Sequence, residues 1–298
     1  MKNKFPLPIN QQHVIKQFSR RHNLAKAQFL YANIATKMID NLKFVHINPE
    51  TILDVGCGSG DNSDLLKSLY KKSYYIGLDN CETLLQESKK KLKKYHCFFN
   101  KLLNKKNIPK FIQSDMASSG LETEYFDLIW SNLALHWHPQ PQKVFLEWYR
   151  LLKNNGLLMF SCFGPNTIKE VRLALQDANL ETKTLEFIDM HDYGDMLVEY
   201  GFTNPVMNQE TLNIFYKTPQ ELIKDIYCIG GNPSLGRKSN LTSKEWLKKL
   251  YDALEKQKNE FNNLKLTIEI IYGHAWRHNN QFINNNEKYI NINSINKL

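Results

Sequence analysis

Between Thr51 and Gly60 the chain reads Thr-Ile-Leu-Asp-Val-Gly-Cys-Gly-Ser-Gly, and few folds accept such a stretch. Thr51 to Val55 is a short apolar run of the kind that forms a buried parallel strand. Glycine then recurs at alternate positions, Gly56, Gly58 and Gly60. Glycine is needed where a chain turns sharply or lays its backbone against a ligand, because no Cβ stands in the way. Asp61 to Tyr70 reads as a helix. Strand, glycine loop and helix together make the unit that takes nucleotide-like ligands at the carboxyl end of a strand. A second strand, Tyr74-Tyr75-Ile76-Gly77-Leu78-Asp79, ends in a carboxylate about 20 residues farther on, where a ribose diol is expected.

The spacing GxGxG with Asp54 before it differs from the GxGxxG of dinucleotide enzymes. It resembles the first motif of class I S-adenosylmethionine (SAM) methyltransferases: an acidic residue, an apolar residue, then GxGxG. Gln113-Ser114-Asp115-Met116 is similar to that superfamily's third strand end, and Phe126-Asp127-Leu128-Ile129-Trp130-Ser131-Asn132 to its fourth strand. Leu151 to Phe160 is similar to its fifth helix-turn-strand, with the usual "L(K/R)PGG" reduced to Lys-Asn-Asn-Gly. The resemblance implies a Rossmann-like α/β fold. That fold is a mostly parallel seven-stranded sheet with helices on both faces and an inserted acceptor-binding subdomain. It also implies SAM as cofactor.

At 298 residues, 42% of them hydrophobic, the chain has ample material for a core. It has no apolar run of about 18 residues, so no membrane span is expected, and Met1 to Pro6 lacks the apolar region of a secretory signal. Five cysteines without a CxxC pair point to reduced thiols in a cytoplasmic protein rather than to a disulfide frame or a metal site. Cys57 lies inside the glycine loop, where a small buried residue is the simpler reading. The formal charge of +9 comes with joint enrichment of lysine and asparagine. No aromatic-basic motif accompanies it, so nucleic acid is not the expected partner. The densest basic run is Lys89-Lys90-Lys91, Lys93 and Lys94, either a solvated helix face or a docking patch for an acidic partner.

In chain order, 1–45 reads as a helical lid, 46–178 as the SAM-binding core, 179–276 as acceptor-side insertion and final strands, and 277–298 as a disordered tail. Helical spacing runs from Gln11 to Leu42, with His22 or Asn23 interrupting it. A helical segment here can close over the reacting methyl and exclude water, making Phe18, Arg20, Arg21 and Tyr31 candidate lid residues, with core packing the alternative for Phe18 and Tyr31. Asn132-Leu133-Ala134-Leu135-His136-Trp137 follows the fourth strand at the edge where ligands bind. His136 and Trp137 are therefore expected to face cofactor or substrate. His136 is read either as a general base or as a contact that does not titrate. A helix is expected from Ile168 to Ala178, another near Met190 with Asp192 as its N-cap, and strands around Pro205 between Phe202 and Tyr216.

Four later segments narrow the resemblance: Phe18-Ser19-Arg20-Arg21, Trp130 to Trp137, Phe163-Gly164-Pro165-Asn166-Thr167 and Tyr272-Gly273-His274-Ala275-Trp276. Together they resemble the malonyl-acyl-carrier-protein O-methyltransferases of bacterial biotin synthesis, and Ile226 to Gly231 resembles that family's "LKxIGA" segment, with Gly231 in place of its alanine. A mitochondrial complex I assembly hydroxylase shares part of these signatures. The resemblance implies transfer of the SAM methyl to the free carboxylate of a malonyl thioester on acyl carrier protein, by a monomer. It implies that Gly56, Cys57, Gly58 and Gly60 border the methionine moiety and that Asp54 orders the loop or its amino group. Asp79 and Asn80 would meet the ribose, Asp115 and Met116 the adenine, with Asn132 and Leu133 completing the cofactor site. Carrier proteins present a phosphopantetheine arm from an acidic helix, which a basic rim would suit.

A carboxylate acceptor calls for an arginine, whose planar fork matches it at two points. Arg172 and Arg237 are the candidates, with Arg20 and Arg21 behind them. Phe18 and Tyr31 are candidate acceptor-pocket residues. Two other classes fit parts of the sequence. A nucleic-acid or amine N-methyltransferase fits the charge, but Ser131-Asn132-Leu133-Ala134 stands where an Asn/Asp-Pro-Pro-Tyr/Phe motif would be. A SAM-binding relative that transfers no methyl fits the shared signatures.

Overall fold

The computed structural model describes residues 6–20, 24–99, 108–237 and 243–278, with the side chains of 24–27 and 94–99 outside that description. Arg21, the side chain of Lys94 and the tail from 279 onward therefore lie outside the described residues. The lead-in carries two helices, α1 (Gln11–Ser19) and α2 (Leu24–Lys43), and the interruption expected at His22 or Asn23 lies outside the described residues. Alternating units follow: β1 (Thr51–Val55), α3 (Asn62–Leu69), β2 (Tyr74–Asp79), α4 (Glu82–Phe99), β3 (Lys110–Gln113), β4 (Phe126–Asn132), α5 (Pro141–Leu151) and β5 (Leu152–Phe163). The chain continues through α6 (Lys169–Asp177), α7 (Met190–Glu199), β6 (Phe202–Tyr216), α8 (Pro219–Ile229), α9 (Lys244–Glu255) and β7 (Leu264–Arg277).

The seven strands form one sheet in the order β3-β2-β1-β4-β5-β7-β6. β1 to β5 pair in parallel, and β7 runs antiparallel between β5 and β6. Strand residues alternate between the two faces. Ile52, Leu128, Trp130, Leu157 and Met159 join one core beneath α2, α6 and α9. Leu53, Ile129, Leu158 and Phe160 join the other, beneath α5 and α7 with Phe145, Trp148 and Tyr193. Strand order reverses between β1 and β4, which opens a crevice beyond their carboxyl ends. Among the described residues no helix is long and apolar enough to cross a membrane.

Three expectations are corrected. The N-cap of α7 is Asp189, whose Oδ1 accepts the N–H of His191 at 2.8 Å, and Asp192 sits inside the first turn. The segment around Pro205 is one strand, β6, with its register against β7 shifting between Thr203 and Val206. An edge strand with a bulge accommodates proline's missing N–H. Arg277, placed with the tail by its asparagine-rich surroundings, is the buried last residue of β7. Its guanidinium donates to the Leu152 carbonyl and to Glu124, and lies 4.8 Å from the Tyr149 ring centroid.

Candidate functional site

The glycine loop is shaped by close approach. Gly56 has φ +73°, and a Cβ there would stand 2.2 Å from that of Ala134. The opposing loop is turned by Leu133, whose φ of +52° is held by N–H donation to the Ser161 hydroxyl at 3.0 Å. The loops after β1 and β4 thus meet with no room for a side chain. A cavity of about 610 Å³ lies above them, bordered by Gly56, Cys57, Gly58, Asp79, Asn80, Met116, Asn132 and Leu133.

Asp79 ends β2 and ties two loops together. Its Oδ2 accepts the Gly58 N–H at 2.9 Å and its Oδ1 the Cys81 N–H at 2.8 Å. Burial raises its pKa, and these N–H groups oppose the shift. Asp54, fully buried in β1, accepts from the Tyr75 hydroxyl at 2.6 Å and from Asn62 Nδ2 at 3.4 Å, while its Oδ1 has no partner. Burial pushes its carboxyl up to about 7 against those two donors, with Asp79 and Asp61 adding to the rise. Burial also raises the Cys57 thiol, which makes it an unreactive wall residue.

Asp115 stands between two residues that line the cavity. Its Oδ1 accepts the Ala117 N–H at 2.7 Å and faces His138 Nε2 at 3.4 Å, and its Oδ2 lies 3.5 Å from Gln11 Nε2. The His138 interaction, ahead of opposing burial, lowers the Asp115 carboxyl. Asn132 bridges core and lid, accepting from the Ser161 hydroxyl at 2.9 Å and donating to the Tyr31 carbonyl at 3.0 Å. Phe18 of α1 and Tyr31 of α2 line the cavity from the lid side, and the Tyr31 hydroxyl donates to the Ile229 carbonyl at 3.1 Å.

His136 and Trp137 occupy one tight turn yet part company. Trp137 lines the cavity, edge-on to Phe18 at 5.7 Å, with Gly230 closely packed on its ring. His136 does not line it. Its ring lies among Trp137, Phe163 and Phe187, its Nδ1 accepts the Phe163 N–H at 3.3 Å, and burial lowers its pKa to about 3. A neutral ring sealed in an aromatic nest is not a general base for a cavity reaction. Arg172 also turns away: it donates to the carbonyls of Thr167, at 2.7 Å, and Pro165, which spends its fork on the backbone after β5. Arg237 is exposed and meets His13 Nε2 at 2.9 Å, and Arg20 is the exposed C-cap of α1; neither lines the cavity.

Several cavity residues escaped the sequence reading. Gln11, Gln28 and His138 reach the site through helix phase and loop direction, which no motif marks. Lys91 belongs to the basic run of α4. It spans the mouth from α4, donating to the Ser59 carbonyl and hydroxyl at 3.2 Å and pairing with Asp61.

A model of the methyltransferase domain family matches residues 53–160. The malonyl-[acyl-carrier protein] O-methyltransferase of Gallionella capsiferriformans is 34% identical, over 83% of this chain and 84% of its own length. That of Nitrosospira multiformis is 32% identical over 90% of each. Among solved structures the YcgJ protein of Bacillus subtilis shares the fold, with a TM-score of 0.57 at 15% identity over 83% of this chain and 99% of that one. Identity of this level over most of both curated chains places the protein in the malonyl-[acyl-carrier protein] O-methyltransferase family.

Proposed function

We propose that this protein methylates the free carboxylate of a malonyl group carried by acyl carrier protein, using SAM, as a step of biotin synthesis in the cytoplasm. The observation that carries the reading is the lidded cavity on the glycine loop and Asp79, in a chain of this family. Its residues fit a nucleoside with an amino-acid tail. Asp79 is fixed by two N–H groups where a ribose would lie, and the glycines leave backbone bare beneath the tail. Asp54 accepts from cavity-lining Asn62 on Oδ2 and keeps a buried Oδ1 without a partner, an acceptor that a cationic amino group would satisfy.

Bound SAM supplies a methyl group on a sulfonium, whose departure leaves a neutral thioether. The chain's own contribution is alignment and exclusion of water. A malonyl carboxylate is ionised at neutral pH, so no residue has to take its proton. That agrees with a neutral, sealed His136. Val14, Phe18, Leu133 and Trp137 present an apolar wall to the acceptor, and Tyr31 ties the lid to the last residue of α8. Arg172 is committed to two carbonyls, so we assign acceptor contacts to Phe18, Tyr31 and Trp137 instead.

Mass spectrometry of malonyl-acyl carrier protein incubated with the protein and SAM tests this. A gain of one methyl on the malonyl group, lost in Asp79→Ala, is the expected result. An unmodified malonyl group, with SAM binding intact by calorimetry, would discard the activity and leave a SAM-binding protein.

A further inference from the structure

α1 presents two faces. Gln11, Val14 and Phe18, at helical spacing, line the cavity. His13, Lys16 and Arg20 fall on the other side of the same helix. There His13 meets the segment after α8, which is stitched to the lead-in by three backbone links. Ile9 bridges Ser234, the Asn10 N–H donates to the Pro233 carbonyl at 3.0 Å, and the Leu235 N–H to the Pro8 carbonyl at 2.8 Å. These links carry Arg237 to α1, where its Nη1 meets His13 Nε2 at 2.9 Å.

The result is a group of cations around one imidazole. Burial and the fields of Arg237, Lys16 and Arg20 all lower the His13 pKa. His13 Nε2 also meets the Gln17 amide at 2.8 Å, which leaves this nitrogen as the shared acceptor. Among the described residues no carboxylate pairs with Lys16, Arg20 or Arg237. Elsewhere the lid does pair its cations: Lys37 of α2 meets Glu210 at 2.7 Å. Like charges gathered without a counter-charge repel, at a cost to the fold. Arg237 is exposed and spends one nitrogen on His13, and a guanidinium has further donors in the planar geometry that matches a phosphate.

We propose that Arg237, Lys16 and Arg20, with His13 orienting the guanidinium, form an anion subsite on the outer rim of the lid that binds the phosphate of the substrate's phosphopantetheine arm. The assignment rests on the carrier-substrate reading above. A carrier protein is too large for a cavity of about 610 Å³, so its arm must cross the rim to deliver the acyl end. The subsite lies about one helix diameter, roughly 10 Å, from the cavity wall. An extended pantetheine chain covers that span. A charge-assisted fork on the phosphate then fixes the depth to which the thioester enters.

The test compares malonyl-phosphopantetheine with malonyl-pantetheine, which lacks only the phosphate, and with malonyl-acyl carrier protein. For the unaltered enzyme kcat/KM should favour the phosphorylated small substrate by about tenfold, expressed in KM. In Arg237→Gln, and in Lys16→Gln/Arg20→Gln, the ratio should collapse toward one. Arg237→Lys should restore part of it, and Lys89→Gln/Lys90→Gln on α4 should leave it as it was. An equal preference in the unaltered enzyme, or a ratio that survives Arg237→Gln, would overturn the subsite. A loss confined to malonyl-acyl carrier protein would assign the cations to the carrier's carboxylates and overturn the phosphate assignment. If none of the three substrates is methylated, the reading on which the subsite rests is itself refuted.

Discussion

Asp54 is the residue whose chemistry the fold alters in the most testable way. Its carboxyl, ordinarily near 3.8, is raised to about 7, chiefly by burial. Between those values the folded chain holds a proton that the unfolded chain has released. Asp54 therefore makes the unliganded protein less stable as pH rises from about 4 to about 7, and the penalty is constant above that. Asp54→Asn should remove this dependence, gaining up to about 4 kcal/mol on the native chain at pH 8 while the two converge near pH 4, by denaturant titration at each pH. A ligand bringing a cationic amino group to Oδ1 should expel the proton. S-Adenosylhomocysteine binding near pH 6 should then release a proton, seen by calorimetry in buffers of different ionisation enthalpy, and Asp54→Asn should release none. Asp54, Asp79 and the glycines were legible in the sequence because strand ends and tight turns dictate both the residue type and where it points. Arg172 and His136 were not. A helix or a loop residue can face either way, and here carbonyls after β5 and an aromatic nest took the two side chains.

At the scale of elements, the lid and the turn after β4 both meet the C-terminal end of α8. Gly230 packs on Trp137 so closely that a Cβ would lie 2.0 Å from the indole. Gly230→Ala must displace the ring or the loop, at about 1–3 kcal/mol. Because Trp137 also lines the cavity and faces Phe18, kcat/KM should fall at least about tenfold with a shift in tryptophan emission. Unchanged emission and rate would mean that the loop yields and Trp137 is not fixed by it. Tyr31→Phe removes one hydrogen bond, from the hydroxyl to the Ile229 carbonyl, and should cost about 1 kcal/mol, seen as a few-fold rise in acceptor KM with SAM affinity retained. The elements themselves were readable from periodicity. What periodicity missed was capping and register: Asp189 rather than Asp192 caps α7, and Pro205 sits within one bulged edge strand. Both depend on which backbone N–H groups lack partners, a property of the assembled sheet.

Over the whole molecule, the last strand runs one residue farther than composition suggested, to Arg277, and the reason is electrostatic. Arg277 closes β7 against Glu124 and the Leu152 carbonyl, so Arg277→Ala should lower stability by about 2 kcal/mol, read by denaturant titration. The net charge of +9 acts at the same scale. The free cations of the lid rim and the exposed lysines of α4 flank one mouth, since α1 packs against α4 and Lys91 reaches the cavity. A field of one sign around an entrance speeds the arrival of an acidic macromolecule more than that of a small thioester. Raising salt from about 0.01 M to about 1 M shortens the screening length from about 30 Å to about 3 Å. Over that range kcat/KM for malonyl-acyl carrier protein should fall by an order of magnitude or more, while malonyl-pantetheine should lose far less. Parallel losses would mean that salt acts on the cavity rather than on encounter, and the basic rim would then be only a solvated surface. A selective loss that Lys89→Gln/Lys90→Gln/Lys93→Gln reduces would place long-range steering on α4, leaving the rim of α1 to hold the arm once it has arrived.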